Sequence, residues 1–214
     1  AVRLEAPIPM PRRMGAGRRV EIMGRLKAGE PALKKAEVAN IVPKTGRSGD
    51  IFVLTMRHTI EQGGRTIASD TFDAIYRPAV PPGQKTTATV ATPARTDQSW
   101  TETTQLTNTL NFRYGGITWN AHRIHYDAPY AQAIERYRGL VVHGPLIATL
   151  LLDLVRRHAP QAQVLSFQFK AVRPIFDIHP FTVCGRPSAD GREVQLWAHD
   201  HEGWLTMQAS AELA

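Results

Sequence analysis

The chain has 214 residues, is 43% hydrophobic and 21% charged, and carries a formal net charge of +7. That length holds one large core or two modest ones, and no apolar run approaches the ~20 residues that a helical membrane span needs. Its one cysteine, Cys184, excludes an intrachain disulfide framework and fits a reducing, cytoplasmic compartment; it sits in an alternating run where a buried structural thiol is expected.

The charge is uneven. Residues 1–49 carry eleven Lys/Arg against four Glu, so the excess is concentrated there. A basic face serves nucleic acid or a phosphorylated small molecule such as a coenzyme A tail, or is simply a solvated surface. The first aromatic residue is Phe52, so the interleaving of bases and aromatics that grips single strands is lacking, and nucleic acid is not the expected partner. No signal peptide precedes the first strands. Ala1 is not an initiator methionine, which leaves open a leading segment outside this numbering.

In chain order, Pro7, Pro9, Pro11 and Gly15-Ala16-Gly17 rule out a helix before Arg18. Alternation begins at Val20 and is clearest from Ile51, where Phe52, Leu54 and Met56 share one face. Gly63-Gly64 then turns the chain into Thr66–Tyr76, giving a meander of about four antiparallel strands. The Pro- and Thr/Ala-rich residues from 78 to 99 read as a linker. Thr107 caps a short amphipathic helix through Leu110, Phe112 and Tyr114 that ends at Gly115-Gly116. Asp127 and Pro129 start a helix running to about Tyr137, broken by Arg138-Gly139. Gly144-Pro145 opens a third helix that is apolar nearly all round and therefore buried. Pro160 ends it, and four alternating runs follow (164–172, 178–186, 192–199, 204–213), with Asp190-Gly191 and Glu202-Gly203 as turns. A buried helix followed by antiparallel strands makes the fold class α+β.

Chemistry concentrates in two stretches, Asn120-Ala121-His122-Arg123-Ile124-His125-Tyr126-Asp127 and Val141-Val142-His143-Gly144-Pro145. His125 titrates near neutral pH and suits a general acid/base, while Asn120, five residues earlier, orients water or substrate; either could equally be a satisfied structural group. His122 lies between them as a secondary candidate. A His122/His125 metal pair lacks a third and fourth ligand, so no metal is expected. Gly144, at the start of a buried helix, offers a backbone N–H backed by the helix dipole. That is what stabilising an enolate or thioester oxygen requires, and it is also ordinary chemistry for starting a helix. His143 reads as more structural than catalytic. Arg12, Arg13, Arg123 and Arg173 could anchor phosphates or a carboxylate, although each alone is a common surface group. No phosphate loop, GxSxG elbow or Rossmann fingerprint accompanies them.

Thr118–Asp127 together with Gly139–Leu146 resembles the signature of MaoC-like hot-dog hydratases and dehydratases. The branch it is most similar to is the two-hot-dog type that includes hydroxyacyl-thioester dehydratase type 2 and the mesaconyl- and itaconyl-CoA hydratases. Pro9–Met14 and Lys44–Gly49 are similar to that branch's N-terminal half. The resemblance implies a double hot dog: residues 1–78 a degenerate N-terminal half, incomplete or helix-poor; 79–103 a linker; 104–214 the catalytic half around a long helix from Gly144. It implies reversible hydration of a trans-2-enoyl-CoA, or dehydration of a 3-hydroxyacyl thioester, with a dicarboxylic acyl group among the candidate substrates. Coenzyme A would enter as part of the substrate, without a further cofactor, and homo-oligomerisation is open. His125 and Gly144 match the family pattern directly, whereas Asn120 stands where the wider family has Asp. An amide cannot take a proton, which leaves His125 as the acid/base and Asn120 as the group holding water, with Arg13, Arg123 and Arg173 at the substrate or coenzyme. A hot-dog thioesterase and a non-catalytic acyl-CoA or nucleic-acid binding module are the alternatives.

Overall fold

The computed structural model describes residues 8–46, 49–79 and 91–214; Pro7, Arg47, Ser48 and Pro81-Pro82-Gly83 lie outside the described residues. Two compact units emerge, Ala1–Ala88 with Val164–Lys170, and Thr89–Gln163 with Ala171–Ala214.

The first unit is an antiparallel sheet of β1 (Arg12–Ile22), β2 (Ala32–Gly46), β3 (Gly49–Gln62), β4 (Arg65–Arg77) and β6 (Val164–Ala171), in the order β2-β3-β4-β1-β6. Alternation sets which residues face inward: Leu54 and Ala74, paired across β3 and β4, are 3% and 0% exposed. Gly63 and Gly64 make the β3–β4 turn with φ of 57° and 74°. β1 starts well before Val20, because Arg12–Gly15 pair with Ala74–Arg77 although their sequence does not alternate. Among the described residues this unit has no helix. Several of its polar side chains pair across strands. Arg18 and His58 both meet Asp70, at 2.9 and 3.1 Å, Arg19 meets Asp73 at 3.0 Å, and Lys35 meets Glu61 at 2.6 Å. Part of the basic N-terminal segment is thus engaged in partly exposed pairs, each worth under about 1 kcal/mol.

The second unit holds the strand order β9-β8-β7-β5, formed by β5 (Trp100–Thr104), β7 (Phe181–Pro187), β8 (Glu193–Asp200) and β9 (Leu205–Leu213). β5 overlaps the end of the 79–103 stretch expected to be a linker. Its alternation is too short to stand out, but it pairs with β7, and Trp100 stacks on His158 with ring centroids 4.9 Å apart. One sheet face receives α3 (Gly144–His158), which packs on β5, β7, β8 and β9. Leu146, Ile147, Leu151, Leu154 and Val155 are each no more than 6% exposed. At about 1.5–3 kcal/mol per side chain, their burial outweighs any capping term of about 1 kcal/mol. The helix indeed starts without a side-chain cap. Its outer strip is polar, with Asp153 bonding both Arg156 and Arg157. On the other sheet face Cys184, Trp197 and Leu205 form a buried cluster with Ala94 and Val172 against it, so the cysteine is the buried structural thiol expected.

Candidate active site

Helix α1 (Asn108–Ile117) begins as the sequence indicates, with Thr107 Oγ1 accepting from Leu110 N at 3.2 Å. Its buried residue, however, is Asn111, at 0% exposure, while Leu110, Phe112 and Ile117 are turned to solvent. It also runs through Gly115 and Gly116 rather than stopping there, and closes at Thr118, whose hydroxyl donates to Tyr114 O. Trp119 then takes φ of 54°, a left-handed conformation rare for a bulky side chain, and reverses the chain so that Asn120 N donates to Gly115 O at 2.9 Å. A short 3-10 turn, Arg123–His125, leads to α2 (Ala128–Ala133), capped by Asp127 accepting from Tyr130 N. α2 ends short of Tyr137, since the chain turns through Arg136 at φ 61°.

The second stretch is pinned to the first by backbone bonds. Val141 N donates to Ile124 O at 2.9 Å, and Val142 N donates to Ile175 O at 2.8 Å. This lays the His143 ring against the His125 ring, with centroids 3.6 Å apart and planes 22° from parallel; His122 meets His125 edge-on at 5.8 Å. His125, 8% exposed, has Nδ1 2.7 Å from the Val141 carbonyl. A carbonyl only accepts, so Nδ1 carries the proton and Nε2 keeps its lone pair.

Asn120 is oriented by the same logic. Its Oδ1 accepts from His122 N at 3.2 Å, which turns Nδ2 toward His143 Nδ1 at 3.3 Å and makes that nitrogen the acceptor. His143 therefore carries its proton on Nε2, which is buried without a partner among the described residues. Gly115 permits this closure: a Cβ there would lie 3.2 Å from Asn120 O and 3.3 Å from His143 Nε2. Gly144 is the first residue of α3, so its N–H has no intrahelical acceptor, and nothing comes nearer to the position of an added Cβ than Met207 Cε at 3.9 Å.

Electrostatically the three imidazoles favour the neutral form. Burial lowers the pKa of His125 most, with His122 adding to the effect and the Val141 bond opposing it. Burial and then the charge on His125 take His143 down to about 4. Burial also lowers His122, opposed by Glu135. The rings stack rather than converge on a point, and among the described residues no group of three His, Cys, Asp or Glu side chains is arranged to hold a metal ion.

The structure thus brings together Asn120, His122, His125, His143 and, next in the chain, Gly144. The candidate arginines Arg13, Arg123 and Arg173 each have a partner of their own. Arg123 is held by Asp127 at 2.7 Å and lies over the Tyr130 ring, Arg173 pairs with Asp200 at 3.5 Å, and Arg13, in the first unit, lies over Phe72. Sequence reasoning passed over Asn111, whose Nδ2 donates to both His125 O and Val141 O at 2.9 Å and whose Oδ1 accepts from His143 N at 3.3 Å. The signal available was an amide one position from the apolar residues of a helix whose stripe is poor.

Comparison with known proteins agrees with this picture. Residues 2–177 match the family model for hydroxyacyl-thioester dehydratase type 2. The chain is 39% identical over 207 residues to a Chloroflexus aurantiacus protein named mesaconyl-C(4)-CoA hydratase, covering 97% of this chain and 72% of that one. Among solved structures, the MaoC-like dehydratase of Phytophthora capsici superposes with a TM-score of 0.74 at 16% identity, covering 97% of this chain and 76% of that one. A Mycobacterium tuberculosis protein described as a double hot dog gives 0.59 at 14% identity, covering 94% and 75%. The fold is the hot-dog, MaoC-like fold, and among the described residues no helix is long and apolar enough to cross a membrane. The chain belongs to the hydroxyacyl-thioester dehydratase type 2 family and is, like the relatives so named, a hydro-lyase.

Proposed function

We propose that the chain adds water reversibly across the double bond of a trans-2-enoyl-CoA, with short carboxylated acyl groups of the mesaconyl or itaconyl kind as the preferred class. His125 Nε2 takes a proton from a water held by the remaining Nδ2–H and Oδ1 lone pair of Asn120. The water oxygen bonds to C3, and the double-bond electrons move onto the thioester oxygen as an enolate. The Gly144 N–H, with the positive end of the α3 dipole behind it, stabilises that charge. The proton on His125 Nε2 then passes to C2 on the same face, and dehydration is the reverse. No group outside the chain and the substrate takes part.

The observation that carries this reading is the His125 ring, fixed through Nδ1 so that a neutral Nε2 is available beside the start of α3. The 39% identity to a protein named for mesaconyl-C(4)-CoA supports the acyl class. All the proposed catalytic groups lie in the second unit, within the proposed catalytic hot dog of residues 104–214; residues 1–78 are the proposed helix-poor half. Arg123 and Arg173 are the proposed anchors for phosphate or carboxylate, and would exchange Asp127 and Asp200 for the ligand.

The test is loss of the ultraviolet absorbance of crotonyl-CoA and mesaconyl-CoA on hydration. His125→Ala is expected to lower the rate by about 10²–10⁴-fold, and an unchanged rate sinks the assignment. Release of free coenzyme A without a 3-hydroxyacyl product would favour a thioesterase instead.

A further inference from the structure

Resting on the reading of His125 as acid/base, we infer that Asn111 is a positioning residue that holds the His125 imidazole and the first turn of α3 in one frame. It is the fully buried polar side chain of a helix whose neighbouring apolar residues face solvent. An amide is a poor choice for a buried helix position unless it is bonded, because its polar atoms lose water. Here both N–H groups and one oxygen lone pair are used, and every partner is backbone.

Those partners come from three places that the reaction requires to be fixed together. One is the carbonyl of His125 itself. A second is the Val141 carbonyl, which also accepts from His125 Nδ1, so the group that sets the tautomer of the proposed base is itself held by Asn111. The third is the N–H of His143, the residue that precedes the Gly144 donor and stacks on the His125 ring. The partners lie 14, 30 and 32 residues along the chain, so a single side chain joins both chemical stretches to α1. A leucine would fill much the same space and leave the His125 carbonyl and the His143 N–H without that partner.

The experiment compares wild type with Asn111→Leu and Asn111→Asp. Long-range ¹⁵N–¹H correlation reads the His125 tautomer, and steady-state hydration of crotonyl-CoA and mesaconyl-CoA reads catalysis. Wild type should show the Nδ1–H form alone. Asn111→Leu should show a mixture of tautomers and a kcat lower by roughly 10- to 100-fold, with KM changed by less than about 3-fold, since misplacement rather than lost binding is the defect. Asn111→Asp keeps the acceptor for His143 N–H but sets a carboxylate oxygen against the His125 and Val141 carbonyls, and should lower kcat at least as far as Asn111→Leu. A wild-type tautomer and wild-type kcat in Asn111→Leu would overturn the inference. If neither variant folds, the side-chain amide protons of Asn111 in wild type decide: slow exchange with solvent supports the clamp, and fast exchange overturns it. Should wild type hydrate neither thioester, the proposed function fails, while tautomer and exchange still judge Asn111.

Discussion

Two adjacent glycines of α1 separate the effect of helix stability from that of site geometry. Replacing either Gly115 or Gly116 by Ala gains about 0.8–1.0 kcal/mol of helix propensity, and neither has a positive φ that would forbid the change. An added Cβ at Gly116 meets nothing within 4 Å, so Gly116→Ala should keep the whole gain, a rise of roughly 2–4 °C in Tm for a chain of this size, with unchanged turnover. The Cβ at Gly115 lies 3.2 Å from Asn120 O and 3.3 Å from His143 Nε2, so both must give by a few tenths of an ångström. The bond between Asn120 Nδ2 and His143 Nδ1 is already 3.3 Å long, so a shift of that size that separates the two groups takes it past hydrogen-bond reach. With a 1 Å misplacement worth about 10²-fold in rate, a third of that gives a loss of roughly 3- to 10-fold in kcat for Gly115→Ala. Thermal melts and hydration rates of the two variants, measured side by side, test this. Equal activity in both would refute the idea that Gly115 makes room for an aligned Asn120–His143 pair.

Burial lowers the pKa of His125, so the acid limb of kcat/KM should lie below the ordinary value of 6.5; a pH profile with that limb at or above 6.5 would contradict His125 as the base. With His143 at about 4 in the fold and 6.5 when free, the unfolded chain binds a proton between those values that the folded chain does not. Stability should therefore fall as pH drops from 6.5 toward 4, and His143→Gln should flatten that slope in urea unfolding measured at a series of pH values. Leu151, 0% exposed at the centre of α3, should lose about 2–5 kcal/mol on replacement by Ala, whereas half-buried Leu152 should lose well under that; denaturant melts of the two variants check it.

How far the sequence could be read depended on whether a feature is carried by side-chain pattern or by backbone groups. α3 was legible because Leu146, Ile147, Leu151, Leu154 and Val155 repeat at helical spacing and lie on the buried face. α1 was misread because Leu110 and Phe112, two residues apart, point to nearly opposite sides of a helix, and neither side is the core. The chain buries Asn111 there to satisfy three backbone groups that no residue code displays. β5 was missed for a related reason, since its partner β7 lies about eighty residues away and its own five residues hold little apolar signal. The site divides in the same way. Asn120 and His125 could be picked out by type and spacing, but what fixes their protonation lies elsewhere. The Val141 carbonyl sets the tautomer of His125, and the His122 N–H sets the amide of Asn120, and with it the tautomer of His143. Any residue at 122 or 141 other than proline at 122 would supply those same backbone groups. The functional information is therefore in the positions of the backbone, and Gly115 and Asn111 are the side-chain choices through which the sequence controls them: one by having no Cβ, the other by bonding His125, Val141 and His143 at once.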